Sequence, residues 1–103
     1  MDLSKIQKMK SEFDRERGWD KSRASNVLVH LLEELGEVGR FVNFEEKYKT
    51  REIGHEHGIS REELGREFAQ SFMLFLQLAN HYGIDLERAF ADEIKIMEKR
   101  FRK

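Results

Sequence analysis

The sequence predicts an all-α fold, a helical bundle completed by homo-oligomerisation, and three observations carry that prediction. Apolar residues recur three and four positions apart over long stretches. There is no proline, and most of the seven glycines fall between the periodic segments. Apolar residues (39%) and charged residues (38%) are nearly balanced, as in helices with one wet face. A chain of 103 residues has room for one domain, residues 1–103. A chain so short buries a limited share of its surface and is marginal alone. A second copy, in a homodimer or homotetramer, is therefore expected to cover the apolar faces that remain.

Taken in order, Leu3, Ile6, Met9 and Phe13 mark residues 2–16 as a short amphipathic helix, which Arg17-Gly18-Trp19 interrupts. Ser22 and Ser25 are both acceptable N-caps for the next helix. Val27, Leu28, Leu31, Leu32, Leu35, Val38 and Val42 define one face of that helix, which is expected to end near Tyr48. Residues 49–59 lose the pattern, contain Gly54 and Gly58, and read as a loop. Ser60-Arg-Glu-Glu63 is a capping-box sequence opening a further helix. That helix carries Phe68, Phe72, Phe75, Leu76 and Ala79 and runs to Tyr82, where Gly83 stops it. Asp85 caps a last helix bearing Ala89, Phe90, Ile94, Met97 and Phe101.

Several function classes are excluded at this level. Without cysteine there is neither a disulfide framework nor a thiolate metal site. The N-terminus lacks a basic stretch followed by an apolar core, so no signal peptide is expected. No apolar run approaches the roughly 20 residues that a spanning helix needs. A cytoplasmic address with no membrane partner is the expectation. The net charge of −1 and the lack of a strongly basic domain argue against a nucleic acid duplex as partner. The basic end, Lys99-Arg100-Phe101-Arg102-Lys103, reads as a solvated helix terminus, where cations favour the negative end of the dipole. No serine has a partner set suited to nucleophilic catalysis.

The chemistry-bearing residues are glutamates. At ~100° per residue, the apolar face of the second helix centres between Leu31 and Leu35. Glu33 then points into solvent, whereas Glu34 sits at the border of the face, flanked by Val27, Val38 and Phe41. Glu37 lies one turn on, with His30 and Phe41 on the same stripe. The third helix repeats the arrangement: Glu63, Glu67 and Gln70 form an i, i+4, i+7 line, and Glu67 is flanked by Ser71, Leu74 and Leu78. If the two helices pair through their apolar faces, both border lines converge at one groove. Two carboxylates 5 Å apart at an effective dielectric of 20 repel by about 3 kcal/mol. Such a cluster needs protons, basic partners or a cation, and an all-oxygen set suits a hard divalent ion such as Mg²⁺, with Mn²⁺ also acceptable. The alternative reading is structural, because glutamate is a good helix former and often solvates the edge of a bundle.

The run Val27-Leu-Val-His-Leu-Leu-Glu-Glu-Leu-Gly-Glu-Val38 resembles the first metal motif, Glu-Glu-x-x-Glu, of the MazG-like nucleoside triphosphate pyrophosphohydrolases. The stretch from Glu63 to Leu86 resembles that family's second helix and the turn ending it, and Trp19 is similar to its upstream tryptophan. The resemblance covers about residues 17–101. It implies an all-α dimer or tetramer that uses Mg²⁺ to cleave a nucleoside triphosphate between the α and β phosphates. Glu34 and Glu37 match the first pair of metal ligands, and Glu67 matches the glutamate of the second motif, Glu-x-x-Asp. Glu33 matches the extra glutamate of the first motif, placed to act on water.

There are two departures from that pattern. Gln70 stands where the family has aspartate, offering one neutral carbonyl oxygen in place of a charge. On the last helix, where the family carries Lys-x-x-Lys-Asn, this chain reads Glu93, Ile96 and Met97, with Lys95, Lys99 and Arg100 as nearby cations. Glu63 is a further carboxylate that would restore a charge by moving into the site. Ahead of the first motif, Trp19 is suited to stacking on a base, and Lys21, Arg23 and Asn26 to holding phosphate oxygens. Packing of Trp19 over a helix end is the competing reading. His55-Glu56-His57 lacks the helical spacing of a zinc site. His30 is one turn before Glu34 and able to orient a carboxylate, and His81 lies near a helix end. Two rival functions stay open: a catalytically silent nucleotide- or metal-binding module, and a structural dimerisation domain built on the apolar face of residues 68–79.

Overall fold

Asp2 starts the first helix by local chemistry: its carboxylate accepts the Lys5 amide at 2.8 Å, satisfying one of the donors that every helix N-terminus leaves open. The computed structural model describes residues 2–46 and 60–102, and every regular element among them is helical. Helix α1 is Leu3–Glu16, followed by a 3₁₀ turn at Trp19–Lys21; α2 is Ala24–Glu45, α3 is Arg61–His81 and α4 is Leu86–Arg100. Among the described residues no helix is long and apolar enough to cross a membrane.

The element ends follow from capping. Gly18 takes a left-handed φ of +73°, which turns the chain out of α1 into the 3₁₀ turn. The Ser22 amide closes that turn on the Trp19 carbonyl at 3.1 Å, and α2 begins two residues later at Ala24. Neither expected cap therefore stands directly before α2: Ser22 ends the 3₁₀ turn and Ser25 is already inside the helix. The start of α3 is a complete capping box. The Glu63 amide donates to Ser60 Oγ at 3.1 Å, and the Ser60 amide donates to Glu63 Oε1 at 3.3 Å. Its other end is a Schellman turn: Gly83, at φ +65°, lets the Ile84 amide reach the Ala79 carbonyl (3.0 Å) and its own amide reach Asn80 (3.1 Å). Asp85 then caps α4 by accepting the Arg88 amide at 3.2 Å. The expected end of the second helix near Tyr48, the loop at 49–59 and the His55-Glu56-His57 cluster lie outside the described residues.

Contacts divide the chain into two compact units, one of residues 1–24 and 76–103, the other of residues 25–75. In the first, α1 packs against the 3₁₀ turn and α4. The line of α1 that is buried is polar: Gln7, Lys10 and Asp14, while Met9 of the apolar stripe is 55% exposed. These groups tolerate burial because they are mutually satisfied. Lys10 Nζ pairs with Asp14 and sits over the Phe13 and Trp19 rings at 5.4 and 5.7 Å from their centroids. Gln7 bonds to Asn80, Ile84 and Leu86. At the start of α1, the Ser4 amide donates to Glu87 Oε1 at 3.1 Å, so one carboxylate of α4 satisfies an open donor of α1.

Buried apolar side chains are few among the described residues: Val27, Leu31 and Leu76. In the second unit, Leu28, Leu32, Leu35 and Val42 of α2, and Phe68, Phe72 and Phe75 of α3, stay largely in water. Full burial of each such side chain contributes about 1.5–3 kcal/mol, so a large stabilisation is left unrealised in the isolated chain.

Candidate functional site

The second unit brings one acidic residue of α2 next to one of α3. Glu34 lies near the middle of α2, one turn after His30, and its side chain is largely shielded from water. Glu67 lies in the second turn of α3, four residues after the capping glutamate. The Glu67 carboxyl is held above its ordinary range, and the largest cause is a side-chain hydrogen bond with Glu34. Burial pushes the same way, as do the negative charges of Glu34 and Glu37, while the Arg66 cation opposes them. A hydrogen bond between two carboxyl groups requires one proton between them, because an ionised carboxylate only accepts. Glu34 and Glu67 thus form a dyad in which the charge on Glu67 is disfavoured.

The surroundings supply little neutralisation. His30 Nε2 lies 3.6 Å from Glu34 Oε1 and adds a cation only when the exposed imidazole is protonated. Glu67 Oε2 is buried, and no donor reaches it. Ser71, one turn further along α3, is 6% exposed, and its hydroxyl also lacks a hydrogen-bond partner. Native interiors leave few such groups unpaired, so two on adjacent turns of one helix mark the place where a polar or charged occupant would be welcome.

The other residues singled out by the sequence are distributed differently. Glu37 acts on Glu67 through its charge, but its own carboxylate is exposed and accepts Arg40 Nη1 at 3.3 Å. Gln70 is half-buried on the turn after Glu67, and Glu33 is exposed. Glu63, considered as a replacement charge, is held in the capping box by Ser60. Among the described residues no group of three or more His, Cys, Asp or Glu side chains is arranged to hold a metal ion. Two carboxylates meet, with a third contributing at longer range. That set fits a Mg²⁺ ion which keeps several waters and takes one or two carboxylates plus phosphate oxygens, and does not form a closed protein cage.

Asn26 is exposed near the start of α2, in the same unit as the dyad. Trp19, Lys21, Arg23, Lys95 and Lys99 belong to the first unit, where all are exposed. Trp19 is 48% exposed and meets Phe13 edge to face at 5.8 Å, while its carbonyl accepts Gln77 Nε2 at 3.1 Å. Its ring is thus partly used in packing at the end of α1. An open depression of about 370 Å³ lies in the same unit, beside Ser4, Gln7, Lys8 and Asn80, and none of the sequence-predicted site residues lines it.

Sequence reasoning missed the unpaired Ser71 hydroxyl. The signal available was a polar residue at a position bordered by Glu67, Leu74 and Leu78, but its lack of a partner is a property of the packed structure. No protein-family model, curated protein or solved structure matches the chain.

Proposed function

We propose that this chain is a Mg²⁺-dependent nucleoside triphosphate pyrophosphohydrolase of MazG-like type, cleaving between the α and β phosphates to give a nucleoside monophosphate and pyrophosphate. The observation that carries the reading is the Glu34–Glu67 dyad, two carboxyl groups from different helices close enough that Glu34 holds Glu67 above its ordinary range. Sharing a proton is one way to relieve their repulsion, and binding a divalent cation is the other. Glu34 and Glu67 would hold the ion, with Glu37 adding negative charge from one turn along α2 and Gln70 offering a neutral carbonyl oxygen. A bound Mg²⁺ supplies charge neutralisation at phosphate oxygens and acidifies coordinated water. Glu33, exposed beside Glu34, would take the proton of the water that attacks the α phosphorus, and the bond from that phosphorus to the bridging oxygen breaks as pyrophosphate leaves. Asn26, exposed near the start of α2 in the same unit, would hold a phosphate oxygen.

The exposed apolar faces of α2 and α3 support a working form of two or four copies, with Phe68, Phe72 and Phe75 covered by a second chain. Sedimentation or light scattering at micromolar concentration should show no monomer.

A second reading has its own support. Gln70 replaces a charge, and among the described residues no third carboxylate completes the set. A catalytically silent module that binds nucleotide or metal would have these features. The experiment that separates the two is incubation with Mg²⁺ and a panel of nucleoside triphosphates, with pyrophosphate measured. Release that Glu34→Gln abolishes supports the hydrolase. Binding in a calorimeter without product supports the silent module, and neither binding nor product leaves the structural dimerisation domain.

A further inference from the structure

Ser71 is built into the site at a cost. Its side chain is 6% exposed, and its hydroxyl makes no hydrogen bond. A serine inside a helix ordinarily satisfies its hydroxyl on a carbonyl of the preceding turn, and here it does not. Alanine or valine would fill the same place with no polar group to desolvate. Four residues earlier on the same face of α3, Glu67 Oε2 is buried and unpartnered as well. Hydrogen bonding between Ser71 and Glu67 does not resolve the pair, since neither atom finds the other within bonding range. Both oxygens therefore keep lone pairs free for a further partner. The side chain tied most strongly to Glu67 is Glu34, which likewise offers oxygens, while Glu37 adds negative charge and Arg66 opposes it.

We propose that Ser71 is an additional oxygen ligand of a hard divalent cation held by Glu34 and Glu67, bonding it directly. The proposal rests on the reading of the dyad as a cation site, and it deepens that reading by naming a donor that the motif comparison does not contain. A hydroxyl oxygen has two lone pairs and no charge, so it adds a ligand without adding to the repulsion between Glu34 and Glu67. All-oxygen donor sets of this kind favour Mg²⁺ and Mn²⁺ over thiophilic ions.

The test uses the full-length chain and the metal alone. Mn²⁺ binding is measured by the loss of the free-ion paramagnetic signal for the wild type, Ser71→Ala, Ser71→Cys and Glu34→Gln, and melting is followed in chelator. Ser71→Ala should bind Mn²⁺ about tenfold more weakly than the wild type, while melting in chelator at the same temperature or higher. Ser71→Cys should lose Mn²⁺ affinity and gain Cd²⁺ affinity, a swap of preference that a purely structural serine would not produce. If Ser71→Ala does not fold, the Mn²⁺-to-Cd²⁺ swap in Ser71→Cys decides alone. Unchanged Mn²⁺ affinity in Ser71→Ala, or no swap in Ser71→Cys, alongside lost affinity in Glu34→Gln, overturns the role of Ser71 and leaves the carboxylate site standing. No Mn²⁺ binding by the wild type overturns both.

Discussion

Replacing Gln7 with leucine tests the claim that a buried polar side chain, rather than an apolar one, holds the first unit together. Gln7 is 8% exposed. Its Nε2 donates to Asn80 Oδ1 at 3.0 Å and to the Ile84 carbonyl, and its Oε1 accepts the Leu86 amide at 3.1 Å. One side chain therefore ties α1 to the end of α3, to the turn after it and to the first residue of α4. Leucine has a similar volume and removes all three bonds. At about 1 kcal/mol net for each, the loss is about 3 kcal/mol. Ile84 is exposed, and Asn80 and Leu86 are half-buried, so water recovers part of it, and the expected destabilisation is about 2 kcal/mol. That corresponds to a fall in melting temperature of about 8–16 °C. The assay is urea denaturation followed by helical circular dichroism, at one fixed protein concentration because self-association would shift the midpoint. Adding Asn80→Leu alone and in combination completes a double-mutant cycle, in which the pair should couple by at least about 0.5 kcal/mol. A destabilisation below about 0.5 kcal/mol for Gln7→Leu, within the range of an ordinary surface change, would refute the reasoning.

The remaining predictions concern the dyad and the helix ends. Because the folded-state pKa of Glu67 is raised above its ordinary 4.5, its contribution to stability is fully present below that value and is lost as pH rises through the raised one. Glu67→Gln, which can donate to Glu34 at any pH, should be more stable than the wild type above that window without metal. Melting curves from pH 4 to 8 that run parallel for the two proteins would contradict this. Ser60→Ala removes half of the capping box and should cost about 1 kcal/mol, read as a lower urea midpoint with unchanged slope. Gly83→Ala forces a β-carbon into the left-handed region and should destabilise by about 1 kcal/mol. Gly65→Ala, inside α3 with open space around the new β-carbon, should instead stabilise by about 0.5–1 kcal/mol. Equal effects at the two glycines would show that backbone conformation is not what separates them.

What could be read in the chain beforehand is what depends on near neighbours. The capping box at Ser60–Glu63, the stop at Gly83 and the cap at Asp85 act over three to five residues, so their residue types suffice to place the ends of α3 and α4. The same local logic misplaced the cap of α2, since Ser22 and Ser25 look equally good until the 3₁₀ turn after Gly18 uses up the chain as far as Ser22. Within α1, apolar spacing marks a helix correctly but not its innermost line. Gln7 and Asn80 are 73 residues apart, and nothing near Gln7 announces that a partner will meet it.

The acidic site divides in the same way. Periodicity alone places Glu34 and Glu67 at the borders of apolar faces, because a side chain's angular position follows from helical pitch. That Glu34 and Glu37 hold the Glu67 carboxyl above its ordinary range, and that Ser71 is sealed without a partner, were decided by the folded unit. Helix positions and ends are determined by bonds between residues a turn apart, which the sequence spells out directly. The pairing and desolvation of polar groups are set by distances between segments that only the closed chain fixes, and the upward shift of Glu67 is a consequence of those distances.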